Sequence, residues 1–228
     1  MVTGDRNFEE SDLEILGRLV DASNASLLCK SADGVQVIYK PISGERPLWD
    51  FPDGNLASRE VAAYYISEIG GFDLVPKTVL RDGPFGTGAV QLWIEIDETK
   101  DVVAIAQANS SELRNMALFD VVINNADRKF GHILISSDKN IYGCDHGVSF
   151  HEENKLRTVI WQFADTSLMP DEIAQINQLL ADLDIHYLQT LLTEAEVEAL
   201  LARIRNLLTE ARFPLPNNDW PAIPWPPY

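Results

Sequence analysis

Two carboxylates flank a short apolar stretch near the middle of the chain. Asp127 follows the run Phe119-Asp120-Val121-Val122-Ile123-Asn124-Asn125-Ala126, and Asp145 follows Tyr142-Gly143-Cys144 and precedes His146-Gly147. With the strand-forming Ile133-Leu134-Ile135 between them, such a pair suits phosphoryl transfer. One acid accepts a hydrogen bond from an attacking hydroxyl, and the other holds a divalent cation against a nucleotide phosphate. Singly, Asp127 also reads as a helix-ending surface acid beside Arg128, and Asp145 as a turn aspartate. Gly147 is expected to give a sharp turn that leaves Asp145 free to bind a hard cation. His132 can ligate a metal, bond a phosphate oxygen, or simply pack at a strand edge.

Earlier residues supply the complementary charge. Lys40 ends the run Val37-Ile38-Tyr39 just before Pro41. A lysine there can neutralise phosphate oxygens as a point charge, or sit solvated at an edge. Glu60, in the helical run Ser58-Arg59-Glu60-Val61-Ala62-Ala63-Tyr64, is its natural ion-pair partner, although helical glutamates often only decorate a surface. The small polar group Ser23-Asn24-Ala25-Ser26 can offer backbone N–H groups to phosphates or form an ordinary turn; no glycine-rich pattern is present. Cys/His metal spacing, a Gly-x-Ser-x-Gly elbow and a Walker-type loop are all missing, so zinc, serine-hydrolase and P-loop chemistry have no support.

These residues need positioning elements. Apolar spacing (Leu13, Leu16, Leu19, Val20) behind Ser11 predicts a helix over 8–20. Strands are expected over 25–30 and 35–40 around the turn-forming Ser31-Ala32-Asp33-Gly34, and over 78–81 and 89–96 around Asp82-Gly83-Pro84-Phe85-Gly86. A helix over 57–69 lies between the two pairs. The Pro-, Gly- and aromatic-rich segment 41–54 must be a loop, and its Arg46, Trp49 and Phe51 suit either substrate contact or anchoring to the core. Ser110 caps a helix running to about residue 124. Helices are expected over 171–183, 185–192 and 194–211, the last opened by a Thr193-x-x-Glu196 box. The tail 214–228, rich in Pro and Trp, cannot be regular and is read as an extended strap or a mobile end. Strands with one helix followed by a mainly helical half give an α+β, two-lobed organisation. The lobes are residues 1–97 and 98–228, with a cleft between them.

Composition limits the partners. The chain has 228 residues, a formal net charge of −17, 46% apolar and 23% charged residues, the profile of a globular protein. So acidic a chain without a Lys/Arg block is repelled by nucleic acids and anionic membranes. No run is long and apolar enough for a membrane span, and residues 1–7 lack the apolar core of a signal peptide. Cys29 and Cys144 sit among apolar neighbours and are expected to be buried thiols in a reduced, cytoplasmic setting.

Taken together, Val37-Ile38-Tyr39-Lys40-Pro41, Gly44-Glu45-Arg46-Pro47-Leu48-Trp49-Asp50-Phe51-Pro52, Arg59-Glu60-Val61-Ala62-Ala63-Tyr64, Leu74-Val75-Pro76, Asn124-Asn125-Ala126-Asp127-Arg128-Lys129 and Asp145-His146-Gly147-Val148 resemble the atypical kinases related to phosphatidylinositol 3- and 4-kinases, distantly HipA-like. In particular they resemble an actinobacterial phosphatidylinositol-kinase-related group. The resemblance implies a protein-kinase-like fold with ATP between the lobes. Lys40 would contact phosphates and Glu60 would hold Lys40. Asp127 would stand for the catalytic-loop acid of Asp-Arg-His-x-x-Asn, and Asp145 for the metal acid of Asp-Phe-Gly. Gln91, Trp93 and Glu95 fall where the interlobe hinge meets adenine. The chain departs from the pattern at Lys129 (for His), His132 (for the metal-binding Asn) and His146 (for Phe). The expected activity is ATP- and Mg²⁺- or Mn²⁺-dependent transfer to an unidentified hydroxyl on a small molecule or a protein Ser/Thr. A nucleotide-binding pseudokinase scaffold and AMP transfer are the alternatives.

Overall fold

The computed structural model describes residues 8–19 and 24–228. Its first half is a five-stranded antiparallel sheet in the order β1-β2-β3-β5-β4: β1 (Leu13–Arg18), β2 (Leu27–Ser31), β3 (Gln36–Pro41), β4 (Thr78–Gly83) and β5 (Gly86–Leu92). Strand alternation divides the side chains of β3 between two faces. Val37 and Tyr39 join Phe8, Leu27, Cys29, Val35 and Val90 in a small core on one face. Ile38 and Lys40 therefore point the other way.

The helix α1 (Leu56–Ile69) packs on the sheet through β4 and β5. Asn55 starts it by accepting a hydrogen bond from Ser58 N–H at 2.7 Å, which satisfies an otherwise orphaned donor. The second half comprises α2 (Val102–Ala106), α3 (Ser111–Ile123), the hairpin β6 (Ile133–Ile135) and β7 (Ile141–Gly143), then α4 (Pro170–Asp182), α5 (Ile185–Leu191) and α6 (Glu194–Glu210). Ser110 and Thr193 cap α3 and α6 as their spacing predicts, and Thr193 and Glu196 form a reciprocal capping box. The larger core joins α1 to α3 and to the last three helices through Ile66, Phe119, Ile123, Ile176, Leu188, Leu200 and Ile204. The architecture is thus α+β, a strand-rich half against a mainly helical one.

Three expectations are corrected. Residues 13–18 form an edge strand paired with β2 and not part of a helix over 8–20; Val20 lies outside the described residues. The apolar spacing had suggested a helical face, but Ile15 and Leu16 are largely exposed and bury no such stripe. Gly17 is also a poor helix residue, and it adjoins a register irregularity after Ile15. Secondly, β5 ends at Leu92 rather than near residue 96. Thirdly, Cys29 is buried but Cys144 is only half-buried, both as free thiols. The expectation about the signal-peptide region falls on residues 1–7, outside the described residues. Among the described residues, no helix is long and apolar enough to cross a membrane.

One buried ion pair fixes α1 against α6. Arg59 Nε donates to Glu196 Oε1 at 2.6 Å, its Nη2 donates to the Asp53 carbonyl at 2.6 Å, and the guanidinium lies 4.9 Å from the Phe51 ring. Removing one member of a buried pair strands the other charge. Arg59→Ala is therefore expected to lose about 3–5 kcal/mol of unfolding free energy. Lys77→Ala, which breaks a half-exposed pair with Glu9, should lose at most about 1 kcal/mol. Urea denaturation of both variants tests the contrast, and equal losses would contradict it.

Candidate active site

A cleft of about 310 Å³ opens between the two halves. Lys40, Glu60, Asp127 and Asp145 all line it, together with Asn24, Glu45, Trp49, Arg157 and Trp220. Lys40, on the α1-facing side of β3, is the ionic centre. Its Nζ makes a very short contact to Glu60 Oε1 and lies 2.9 Å from Asp145 Oδ1. Burial opposes its charge, but the two facing carboxylates, Asp145 and then Glu60, outweigh that and hold it above the ordinary lysine range. The same ammonium holds Asp145 well below the usual carboxylate range against its desolvation.

Glu60 has a second task. Only 2% exposed, it also accepts the backbone N–H of His146 at 3.1 Å. One glutamate thereby ties β3 to the segment after β7. Asp145 itself carries the left-handed backbone, φ 61°, a conformation that non-glycine residues keep only where surroundings enforce it. The turn was expected from Gly147, which has no positive φ. Its lack of a side chain serves close packing instead, since a Cβ there would stand 3.0 Å from Leu56 Cβ.

The Asp127 loop is organised by residues that carried no assigned role in the sequence. Asn124 ends α3 in a left-handed conformation. Its side chain donates to the carbonyls of His151 and Glu153 and accepts from Lys155 N–H. Asn125 Oδ1 accepts the Asp127 N–H at 3.0 Å, while Asn125 Nδ2 donates to Asp120. Arg128 is fully buried and donates to Asp120 through Nε and Nη2, to the carbonyls of His132 and Cys144, and to His146 Nε2 at 2.8 Å. Lys129 reaches back over the loop, its Nζ 3.0 Å from Asp127 Oδ2. The Asp-Arg dipeptide was visible in the sequence. The fivefold use of the arginine was not, because its partners lie on other elements.

His132 stands between the acids. Its Nδ1 lies 2.7 Å from the Asp127 carbonyl oxygen, and its Nε2 lies 3.4 Å from Asp145 Oδ2. A carbonyl oxygen can only accept, so Nδ1 carries the proton and Nε2 presents a lone pair. Burial pushes the imidazole below its usual range, more than the Asp145 charge raises it. The ring is thus neutral at pH 7, and two lone pairs face each other across the gap.

His146 is also held neutral, pushed well below the ordinary imidazole range by burial and by the Arg128 charge. It packs edge-on against Phe119 at 5.6 Å. Burial, reinforced by Asp145, pushes the Cys144 thiol up to about 12, leaving it un-ionised.

The remaining sequence-selected residues separate. Asn24 lines the cleft but spends its Oδ1 on the Arg46 N–H, and Ser23 lies outside the described residues. Gln91 turns into the sheet, donating to Thr78 Oγ1 at 2.9 Å. Trp93 and Glu95 line a second groove with Leu92, Ile94, Ser136 and Tyr142, between the sheet and the β6–β7 hairpin. In the loop 41–54, Phe51 is the anchor, packed edge-on against His151. Trp49 is 82% exposed, beside the cleft. Glu45 clamps the loop to the start of α1 by accepting the N–H groups of Leu56 and Ala57, both at 2.9 Å. Among the described residues, no group of three or more His, Cys, Asp or Glu side chains is gathered as a metal cage.

This cleft between an antiparallel sheet and a helical half belongs to a kinase-like fold. Solved structures that share it include the Golgi casein kinase, at 13% identity and TM-score 0.55 over 88% of this chain and 71% of that one, and the Helicobacter pylori proinflammatory kinase CtkA, at 11% identity and TM-score 0.50 over 89% and 93%. The Golgi casein kinase with Mn/ADP bound superposes at TM-score 0.56, 12% identity, over 88% of this chain and 73% of that one.

The chain belongs to the family of Protein Rv2133c of Mycobacterium tuberculosis, to which it is 41% identical over 261 aligned positions, covering 96% of this chain and 93% of that protein. A more distant relative is phosphatidylinositol 4-kinase gamma 4 of Oryza sativa subsp. japonica. It is 28% identical over 158 positions, which are 60% of this chain but 28% of that protein. No family model matches the chain.

The role of His146 as acceptor for Arg128 can be tested without any ligand. His146→Phe strands a buried charged donor and is expected to lose about 1–3 kcal/mol, whereas His146→Gln can keep an acceptor and should lose less. The folded-state pKa of His146 is depressed, so below pH 6.5 the unfolded chain takes up a proton that the fold refuses. Its stabilising effect is therefore present above pH 6.5 and is lost as pH falls. Denaturant midpoints measured in EDTA between pH 7 and 5 should fall less steeply for His146→Gln than for wild type; parallel slopes would refute the assignment.

Proposed function

We propose that the protein is an ATP- and divalent-metal-dependent phosphotransferase acting on a hydroxyl acceptor. The observation that carries this reading is Lys40 held between Glu60 and Asp145, with Asp127 on the same cleft. The acceptor oxygen forms a bond to the γ-phosphorus, the bond to the β–γ bridging oxygen breaks, and ADP leaves with that electron pair. The acceptor proton passes to Asp127, which Lys129 and the Asn125 side chain hold in place. Lys40 neutralises phosphate oxygens, and the groove lined by Leu92, Trp93 and Glu95 is the place assigned to the base.

The donor set fits a hard cation bound largely through nucleotide phosphates. The Asp145 carboxylate and the His132 Nε2 lone pair face each other at 3.4 Å and would hold Mg²⁺ or Mn²⁺ between them. When bound, that ion supplies neutralisation of the transferring phosphates. Two similar proteins support the kinase reading by analogy: one structural neighbour was solved with Mn/ADP bound, and one sequence relative is named a phosphatidylinositol 4-kinase. His132 and the missing glycine-rich pattern favour a second reading, a nucleotide-binding scaffold that no longer transfers phosphate. AMP transfer is the third reading, separated from the first by the position of the label.

Incubation with Mg²⁺ or Mn²⁺ and γ-labelled or α-labelled ATP decides among the three. Release or transfer of γ-label is expected, falling about 10²–10⁴-fold in Asp127→Ala and abolished by EDTA. Transfer of α-label would install the AMP reading. Nucleotide-dependent thermal stabilisation without turnover of either label would install the scaffold.

A further inference from the structure

The cleft contains a cation that is left unpaired among the described residues. Arg157 and Lys40 are the basic residues lining the cleft. Lys40 is paired twice, whereas no carboxylate among the described residues lies within ion-pair distance of Arg157. Its Nε is buried with no hydrogen-bond partner. A buried unsatisfied guanidinium nitrogen is costly, and in a chain of net charge −17 a carboxylate could readily have been supplied.

Arg157 is also placed by the Asp127 loop itself. Its N–H donates to the Asn125 carbonyl at 2.9 Å, and its carbonyl accepts from Arg128 N–H at 3.1 Å. The residues it pairs with therefore bracket Asp127, one strand spacing (about 5 Å) away. A molecule whose hydroxyl reached Asp127 would bring a neighbouring group within range of this guanidinium.

The segment 220–227 packs on the same side as Arg157. Ala222 O accepts from Thr158 N–H at 3.0 Å and from Trp161 Nε1 at 2.7 Å, and Pro227 O accepts from Phe130 N–H at 2.9 Å. Trp220 enters the cleft lining, and buried Lys155 places its ammonium 4.4 Å from that ring and 5.6 Å from that of Trp49. The tail thus occupies the backbone edge beside Arg157 on which an extended peptide substrate would pair.

We infer that the acceptor is a small molecule carrying an anionic group, a phosphate monoester or a carboxylate, a few bonds from its reacting hydroxyl, and that Arg157 is the residue that selects it. This rests on the phosphotransferase reading and names the substrate class of that site.

The test uses the full chain saturated with Mg²⁺ and the non-hydrolysable AMP-PCP, so that the γ-phosphate position is filled. Calorimetric titration then compares glycerol, glycerol 3-phosphate, glycerate and a phosphoserine-containing hexapeptide. Glycerol 3-phosphate or glycerate is expected to bind at least roughly tenfold more tightly than glycerol; which of the two leads identifies phosphate or carboxylate. Arg157→Gln should remove that advantage and Arg157→Lys should keep part of it, with both variants checked for wild-type melting. Equal affinities for charged and uncharged probes, an advantage that survives Arg157→Gln, or tightest binding of the hexapeptide would each overturn the inference. Failure of AMP-PCP to bind at all would instead sink the phosphotransferase reading, and the probes would then be compared on the free chain.

Discussion

A carboxylate buried as deeply as Glu60 must be matched on both oxygens, and the two groups that match it come from opposite halves of the fold. One is the Lys40 ammonium at the end of β3; the other is the His146 N–H beyond β7. The relative position of sheet and helical half is therefore not left to apolar packing, which tolerates small slides. Shifting α1 along its axis would expose an ammonium, a carboxylate and an amide to an interior that solvates none of them. Arg59, the residue before Glu60, is engaged with Glu196 on α6, so the helix is held from both sides. Geometry at the cleft is a consequence of that double attachment.

A second polar centre lies below the first. Arg128 takes Asp120 as counter-ion and distributes its remaining donors over the carbonyls of His132 and Cys144 and the ring of His146. Burial works against its charge, yet Asp120 outweighs that and raises its pKa. Buried ion pairs add little net stability when compared with apolar replacements. What they add here is placement: the two loops bearing Asp127 and Asp145 are fixed to one guanidinium. This also accounts for His146 where the kinase pattern has Phe. A neutral imidazole fills an aromatic's place against Phe119 and offers the acceptor that Arg128 would otherwise lack.

What could be read from the sequence follows from the range of the forces involved. Helices α1, α3 and α6 were legible because caps and apolar periodicity are local, and the Thr193–Glu196 box fixed one boundary. Lys40 and Glu60 were legible as a pair because a strand end followed by a helix brings few alternatives. The strand β1 was misread because its apolar spacing mimics a helical face, while its pairing with β2 is a property of the sheet. Asp145 rather than Gly147 bears the left-handed backbone, a choice made by Glu60 and Lys40 pulling on residues 145 and 146. The partners of Arg128, the turn of Gln91 toward Thr78 and the docking of the tail through Ala222 all depend on residues distant in the chain. No pattern in a local window encodes them.

The histidine at position 132 departs from the kinase pattern, yet its ring can make the same two kinds of contact as the asparagine of that pattern. An asparagine presents a carbonyl oxygen to a cation and an amide donor to its surroundings. His132 divides the same two tasks between its nitrogens, Nδ1 bonding to the Asp127 carbonyl and Nε2 facing Asp145. Because its pKa is depressed, it remains a donor–acceptor group at neutral pH and does not become a competing cation. Had it been protonated, it would neutralise Asp145 itself. Burial therefore decides the matter: the surroundings that exclude water from the ring also keep its Nε2 lone pair available beside Asp145.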